Sequence, residues 1–75
     1  MARIYVRNRR DAECVADIMT DLHGLQPTIF RDGKIYVVQH DDLRQEAVEE
    51  ALYDHGLWRL LDRDVVARIE WERGR

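Results

Sequence analysis

Aromatic and basic side chains occur together near the start of this sequence, at a spacing that would place them on one surface. Residues 4–8 read IYVRN, and Arg3 and Arg7 lie two positions before and after Tyr5. Side chains two positions apart on a strand share a face of the sheet. Tyrosines beside arginines are typical of surfaces that stack nucleic-acid bases or contact proteins, so the chemistry that these residues favour is binding.

The sequence has no motif typical of catalysis. Cys14 is the only cysteine, and His23 follows it on the same predicted helix at about 13 Å along the axis, too far to activate the thiol. No glycine-rich phosphate loop, GxSxG or HExxH motif occurs, and the histidines lack the spacing of zinc ligands. We therefore expect a protein that is not an enzyme, with no catalytic residue, metal site, cofactor or small-molecule substrate.

Hydrophobic periodicity predicts the elements that would position the binding residues. In chain order these are a strand (residues 3–8), a helix with its apolar stripe at 15–22, two strands joined by a tight turn (26–40), a helix (40–56) and a strand (65–72). Asn8 or Asp11 can cap the first helix, and Gly24 follows its end. Residues 57–61 fit either a short extra strand or an apolar connector.

The order β-α-β-β-α-β predicts an α+β fold of the ferredoxin-like, split βαβ type. It would be a single domain over residues 1–75, with a four-stranded antiparallel sheet and two helices on one face. Pro27 has no N–H to donate to a sheet ladder, so the strand that follows it should lie at a sheet edge.

The tight turn decides which side chains share a face of the predicted sheet. With Asp32-Gly33 as a two-residue loop, one face carries Thr28, Phe30, Ile35 and Val37. The other face carries Ile29, Arg31, Lys34, Tyr36, Val38 and His40. Because the first set has fewer charges, we expect it to meet the helices. Tyr5 and Tyr36 would then be neighbours on the open face, and the predicted binding residues there are Arg3, Tyr5, Arg7, Lys34, Tyr36, Val38 and Arg68.

Two short stretches resemble the signatures of RNA-recognition motifs. IYVRN resembles the strand-one signature of that family, with Tyr5 as the stacking aromatic. The strand-three signature is matched within residues 32–39 only at Gly33, Tyr36 and Val37. The resemblance implies binding of single-stranded nucleic acid by the open sheet face, and it covers too little of the chain to assign the family.

Composition bounds the class of protein. Hydrophobic residues make up 45% and charged residues 36% of the chain, as in a soluble globular domain. No apolar run reaches the ~18–20 residues that span a bilayer, and a single cysteine fits a reducing, cytoplasmic location. The net charge of −3 argues mildly against nucleic-acid binding by overall charge.

Carboxylates that recur every four residues form an acidic ridge on the second helix: Asp42, Glu46, Glu50 and Asp54, with Glu49 beside them.

These observations predict a small interaction module that binds protein through its open sheet face. The partner would be a second copy, giving a homodimer, or another chain, because exposed apolar bands rimmed by charge are typical of protein contacts. The alternative is a domain that binds single-stranded nucleic acid with the same face. A third interpretation is that the tyrosines only cover the sheet.

Overall fold

The computed structural model describes residues 1–24 and 26–74, and only the backbone of His23. The elements are β1 (Ala2–Val6), α1 (Arg9–His23), β2 (Thr28–Asp32), β3 (Ile35–His40), α2 (Gln45–Asp54), a 3-10 helix (Trp58–Leu60) and α3 (Arg63–Glu72). The strands form one antiparallel sheet in the order β1-β3-β2. The strand that follows Pro27 is therefore at a sheet edge, as predicted.

The ferredoxin-like prediction is wrong, because the predicted fourth strand is a helix. Residues 65–72 lie within α3, and the sheet has three strands among the described residues. Ile69 is fully buried whereas Trp71 is 82% exposed, although both would share one face of a strand. Val65 and Ile69 are also four positions apart, so the same apolar residues satisfy a helical period.

Ion pairs hold α3 against α2, and they favour a helix over the predicted strand in residues 65–72. Arg68 Nη2 donates to Oε1 of the buried Glu49 at 2.8 Å, and Arg73 donates to Asp54. Tyr53 donates its hydroxyl proton to Glu70 at 3.2 Å. The predicted acidic ridge is therefore covered in part by Arg68 of α3 and by Arg73, which directly follows α3.

The segment that was a candidate extra strand is the 3-10 helix, and a salt bridge fastens it to α1. The Arg59 guanidinium donates to both carboxylate oxygens of Asp11, at 3.0 and 3.2 Å. α1 begins as predicted, because the Asn8 side chain accepts from the Asp11 N–H at 2.8 Å. It ends at Gly24 with a left-handed φ of 77°.

The pairing of β1 with β3 decides which face of the sheet meets the helices. Ala2, Ile4 and Val6 are buried among α1 and α2 side chains. Ile4 is opposite Val38 and Val6 is opposite Tyr36, and opposed residues share a face. Tyr36 and Val38 therefore face the helices, which is the reverse of the prediction.

The hairpin turn lies one residue later than predicted. Asp32 pairs with Ile35, so the two-residue loop is Gly33-Lys34. Gly33 has a φ of 63°, as expected for the first central residue of a type II′ turn. The shift changes every pairing across the hairpin by two residues, so the predicted face sets hold and only the choice of the buried set is wrong.

No described helix is both long enough and apolar enough to cross a membrane.

Replacing each of two tyrosines by alanine tests the orientation of the sheet. Tyr36 packs against the core, whereas Tyr5 is exposed. We expect Tyr36→Ala to lower the free energy of unfolding by about 2 kcal/mol and Tyr5→Ala to lower it by less than about 1 kcal/mol. Urea denaturation of both variants measures the difference. Equal losses would contradict the orientation described here.

Candidate functional site

The open face of the sheet is built from rows of side chains that cross the three strands. Tyr5 on β1, Val37 on β3 and Phe30 on β2 form the middle row. The row toward the start of β1 is Arg3, Gln39 and Thr28. At the other end, beside the turn, Ile35 is opposite Asp32.

The middle row is an exposed aromatic pair around a buried valine. Tyr5 is 53% and Phe30 41% exposed, whereas Val37 between them is 1% exposed. The two rings stand on strands that are two spacings apart, at about 10 Å. Because α1 and α2 lie on the opposite face, these rings are the most prominent apolar groups of the open face.

The predicted binding residues are divided among several places in the fold. Arg3 and Tyr5 lie on the open face, and Arg7 directly follows β1. The remaining predicted residues are Lys34 in the turn, Tyr36 and Val38 on the helix-facing side, and Arg68 in α3. The structure therefore places Tyr5 in one row with Phe30, on either side of Val37, and the predicted neighbour pair of Tyr5 and Tyr36 does not exist.

The sequence analysis assigned four residues of this surface to the helix-facing side: Thr28, Phe30, Ile35 and Val37. The hairpin pattern correctly places Phe30 and Val37 on one face, opposite to Ile29 and Val38. A signal that would have found the correct side is the β1 pattern: Ala2, Ile4 and Val6 need aliphatic partners across the sheet, and Val38 supplies one.

The open face is also less basic than predicted. Arg31 is opposite Tyr36, so it lies on the helix-facing side, and its Nε donates to the Gly33 carbonyl at 2.9 Å. Arg3 Nε donates to the Gln39 side chain at 2.9 Å. Asp32 adds a carboxylate to the open face. The surface is an aromatic centre with mixed charge around it.

A second feature lies beside the open face, where the 3-10 helix approaches the end of β1. A cavity of about 440 Å³ is lined by Tyr5, Arg7, Asp11, Arg59 and Leu61, among others. The hydrogen bonds from Arg59 lower the pKa of Asp11, although burial of this carboxyl opposes the shift. The Asp11–Arg59 ion pair holds one wall of the cavity in place.

In the described part of the chain, no residues are arranged as a metal site or as an activated nucleophile. No group of three or more His, Cys, Asp or Glu side chains there is arranged to hold a metal ion. Cys14 is half-buried on α1 and forms no disulfide with a described residue. The side chain of His23, which the sequence analysis weighed as its activator, lies outside the described residues.

The chain matches no family model, no curated protein sequence and no solved structure with which it was compared.

The Asp11–Arg59 pair predicts a specific dependence of stability on pH. Because the folded-state pKa of Asp11 lies below its ordinary value of 3.8, the pair stabilises fully above that value. Its contribution is lost as the pH falls through the lower, folded-state pKa. We expect Arg59→Gln to lower the free energy of unfolding near neutral pH and to make its decline below about pH 4 shallower.

Urea denaturation at several pH values measures this effect. Arg44→Gln is the matched control, because the Arg44–Glu46 pair is exposed on both sides and contributes little. An Arg59→Gln variant whose pH profile is parallel to that of the wild type would refute the role of the pair.

Proposed function

We propose that this protein is a non-catalytic interaction module that self-associates through its open sheet face. The observation that carries the proposal is the exposed pair of Tyr5 and Phe30 around the buried Val37. Large apolar side chains grouped on an uncovered sheet face mark a contact surface more often than isolated exposed residues do. Tyrosine is also enriched among the residues that dominate binding energy.

Protein is the better-supported partner because the basic residues do not gather on this face. Arg31 lies on the helix-facing side, and Arg68 is paired with Glu49 away from the sheet. Asp32 would repel a phosphate backbone. Single-stranded nucleic acid therefore stays the second candidate, supported by stacking on Tyr5 and Phe30 alone.

The charges and rings of the face are self-complementary about a twofold axis parallel to the strands. β1 and β2 both run antiparallel to β3, so they point in the same direction. The axis would therefore place β1 of one copy over β2 of the other, with Tyr5 facing Phe30. Arg7, which follows β1, would approach Asp32 of the second copy at the same level of the sheet. Self-complementary patches of this kind define twofold dimers.

The size of the face sets the expected strength of the dimer. Three strands of five residues cover about 14 by 17 Å. This area is well below the roughly 800 Å² per partner that typical stable interfaces bury. The proposed dimer is therefore weak and reversible, and it forms at high protein concentration.

We place this module in the cytoplasm, because Cys14 is the only cysteine of the chain and cannot form an internal disulfide. No cofactor takes part in the proposed contact. The surface uses side chains that need no oxidation or metal to bind.

A concentration series of the solution mass tests the dimer. We expect the mass by light scattering to rise toward twice the monomer value in the wild type and to stay at the monomer value in Phe30→Asp. A carboxylate in the apolar centre would be desolvated without a partner. Trp71→Asp is the matched control, since this aromatic residue is more exposed but lies on α3.

Charge reversal tests the proposed arrangement of the two copies. Asp32→Arg should weaken self-association, and Arg7→Asp in the same chain should restore it, because the ion pair is then reversed. A wild-type protein that stays monomeric throughout the series refutes self-association. An increase in mass at low salt only when a mixed-sequence single-stranded oligonucleotide is added would instead support nucleic-acid binding.

A further inference from the structure

The outer edge of β1 carries main-chain groups that no described strand pairs. Among the described residues, β1 is at the end of the strand order and has β3 as its only neighbour in the sheet. The Arg3 N–H points away from β3, because it donates to Oε1 of Gln45 on α2 at 2.7 Å. Main-chain groups alternate in direction along a strand, so the N–H and C=O of Tyr5 also point outward.

The Gln45 side chain takes the place of a neighbouring strand at one position of this edge. Its carbonyl oxygen accepts from Arg3 as a main-chain carbonyl of a paired strand would. The Tyr5 groups have no such partner among the described residues. An unpaired edge of this kind is a template for a further strand.

A cleft lies between this edge and the segment around the 3-10 helix. Two cavities, of about 110 and about 440 Å³, both reach Tyr5, Leu60 and Leu61. They extend from Arg3 at one end of β1 to Asn8 at the other. The cleft is therefore parallel to β1 and offers apolar side chains on its far wall.

The end of the cleft at α1 is electropositive. Arg9 pairs with Glu13, and Arg59 pairs with Asp11. Of the side chains that line this end, Arg7 forms no ion pair with any other described residue, and the N-terminus of α1 adds a partial positive charge. Asp62 lines both cavities and lies farther along, on the wall that carries Leu60 and Leu61. A negatively charged group is the chemistry that complements this end.

We propose that an extended segment of another protein, with an acidic residue near its N-terminal end, binds in this cleft as an added strand antiparallel to β1. Its main chain exchanges two hydrogen bonds with Tyr5, and its acidic side chain approaches Arg7. Alternate side chains of the segment contact Leu60 and Leu61. Main-chain pairing of this type provides affinity, and the side-chain pockets provide specificity.

A second copy of β1 does not fit this edge. Antiparallel pairing centred on Tyr5 would place Arg3 opposite Arg7 of the other copy, and like charges directly opposite are destabilising. Centring on Ile4 would pair Tyr5 with Arg3, whose N–H is already bonded to Gln45. The segment is therefore not β1 of a second copy.

A displayed library of seven-residue peptides is the probe for this site. We expect the selected peptides to share an acidic residue that precedes alternating apolar residues. A selected peptide, resynthesised and labelled, should lose at least tenfold in affinity for Arg7→Glu in a fluorescence-anisotropy titration. Arg44→Glu is the control, because Arg44 is exposed outside the cleft. Thermal unfolding of both variants checks that they remain folded.

Two further measurements separate this proposal from the open-face dimer. N-methylation of the peptide amide that faces Tyr5 should reduce binding at least tenfold, because it removes one main-chain hydrogen bond and blocks strand pairing. Binding should be unchanged in Phe30→Asp, which disables only the open face. No enrichment from the library, or a peptide indifferent both to N-methylation and to Arg7→Glu, would overturn the proposal.

Discussion

The pairing of β1 with β3 is the constraint on which the rest of the structure depends. Ala2, Ile4 and Val6 are apolar at every second position, whereas Arg3 and Tyr5 are not, so β1 has only one face that can be buried. Its register with β3 then fixes the orientation of the whole sheet. A slip of one residue would turn every β3 side chain to the opposite face. The helix packing and the exposed aromatic pair both follow from this pairing.

In the last third of the chain, the apolar residues fit both the period of a strand and the period of a helix. Valine and isoleucine favour strands, and residues 65–72 alternate as a strand does. The helix prevails because it places Arg68 and Arg73 against the carboxylates of α2 and leaves Ile69 fully buried. As a fourth strand the same arginines would leave the buried Glu49 without its guanidinium partner. An unpaired buried charge is the costlier outcome.

Signals between residues that are close in sequence made much of the fold predictable. Features that depend on contacts between distant residues were not predictable in this way. The first strand, the capped α1, the hairpin and the edge position of β2 all follow from turn and cap residues near in sequence. The buried face of the hairpin could not be chosen by counting charges. Arg31 and Lys34 lie next to the turn, where long side chains reach water from either face of the sheet. Of the candidate site, Tyr5 was therefore found and Phe30 was not.

The absence of a fourth strand from the described sheet has a consequence for binding. In a ferredoxin-like sheet the fourth strand lies beside the first, so it would have covered the outer edge of β1, which instead faces a cleft. Tyr5 then presents its ring to the open face and its main chain to the edge, in directions that are nearly perpendicular. An open edge also invites uncontrolled pairing, which charged side chains suppress. Arg3 and Arg7 flank the open position on β1. In the proposed complex, a segment that pairs there therefore carries the complementary charge. The same charges that limit aggregation would then select which segments bind.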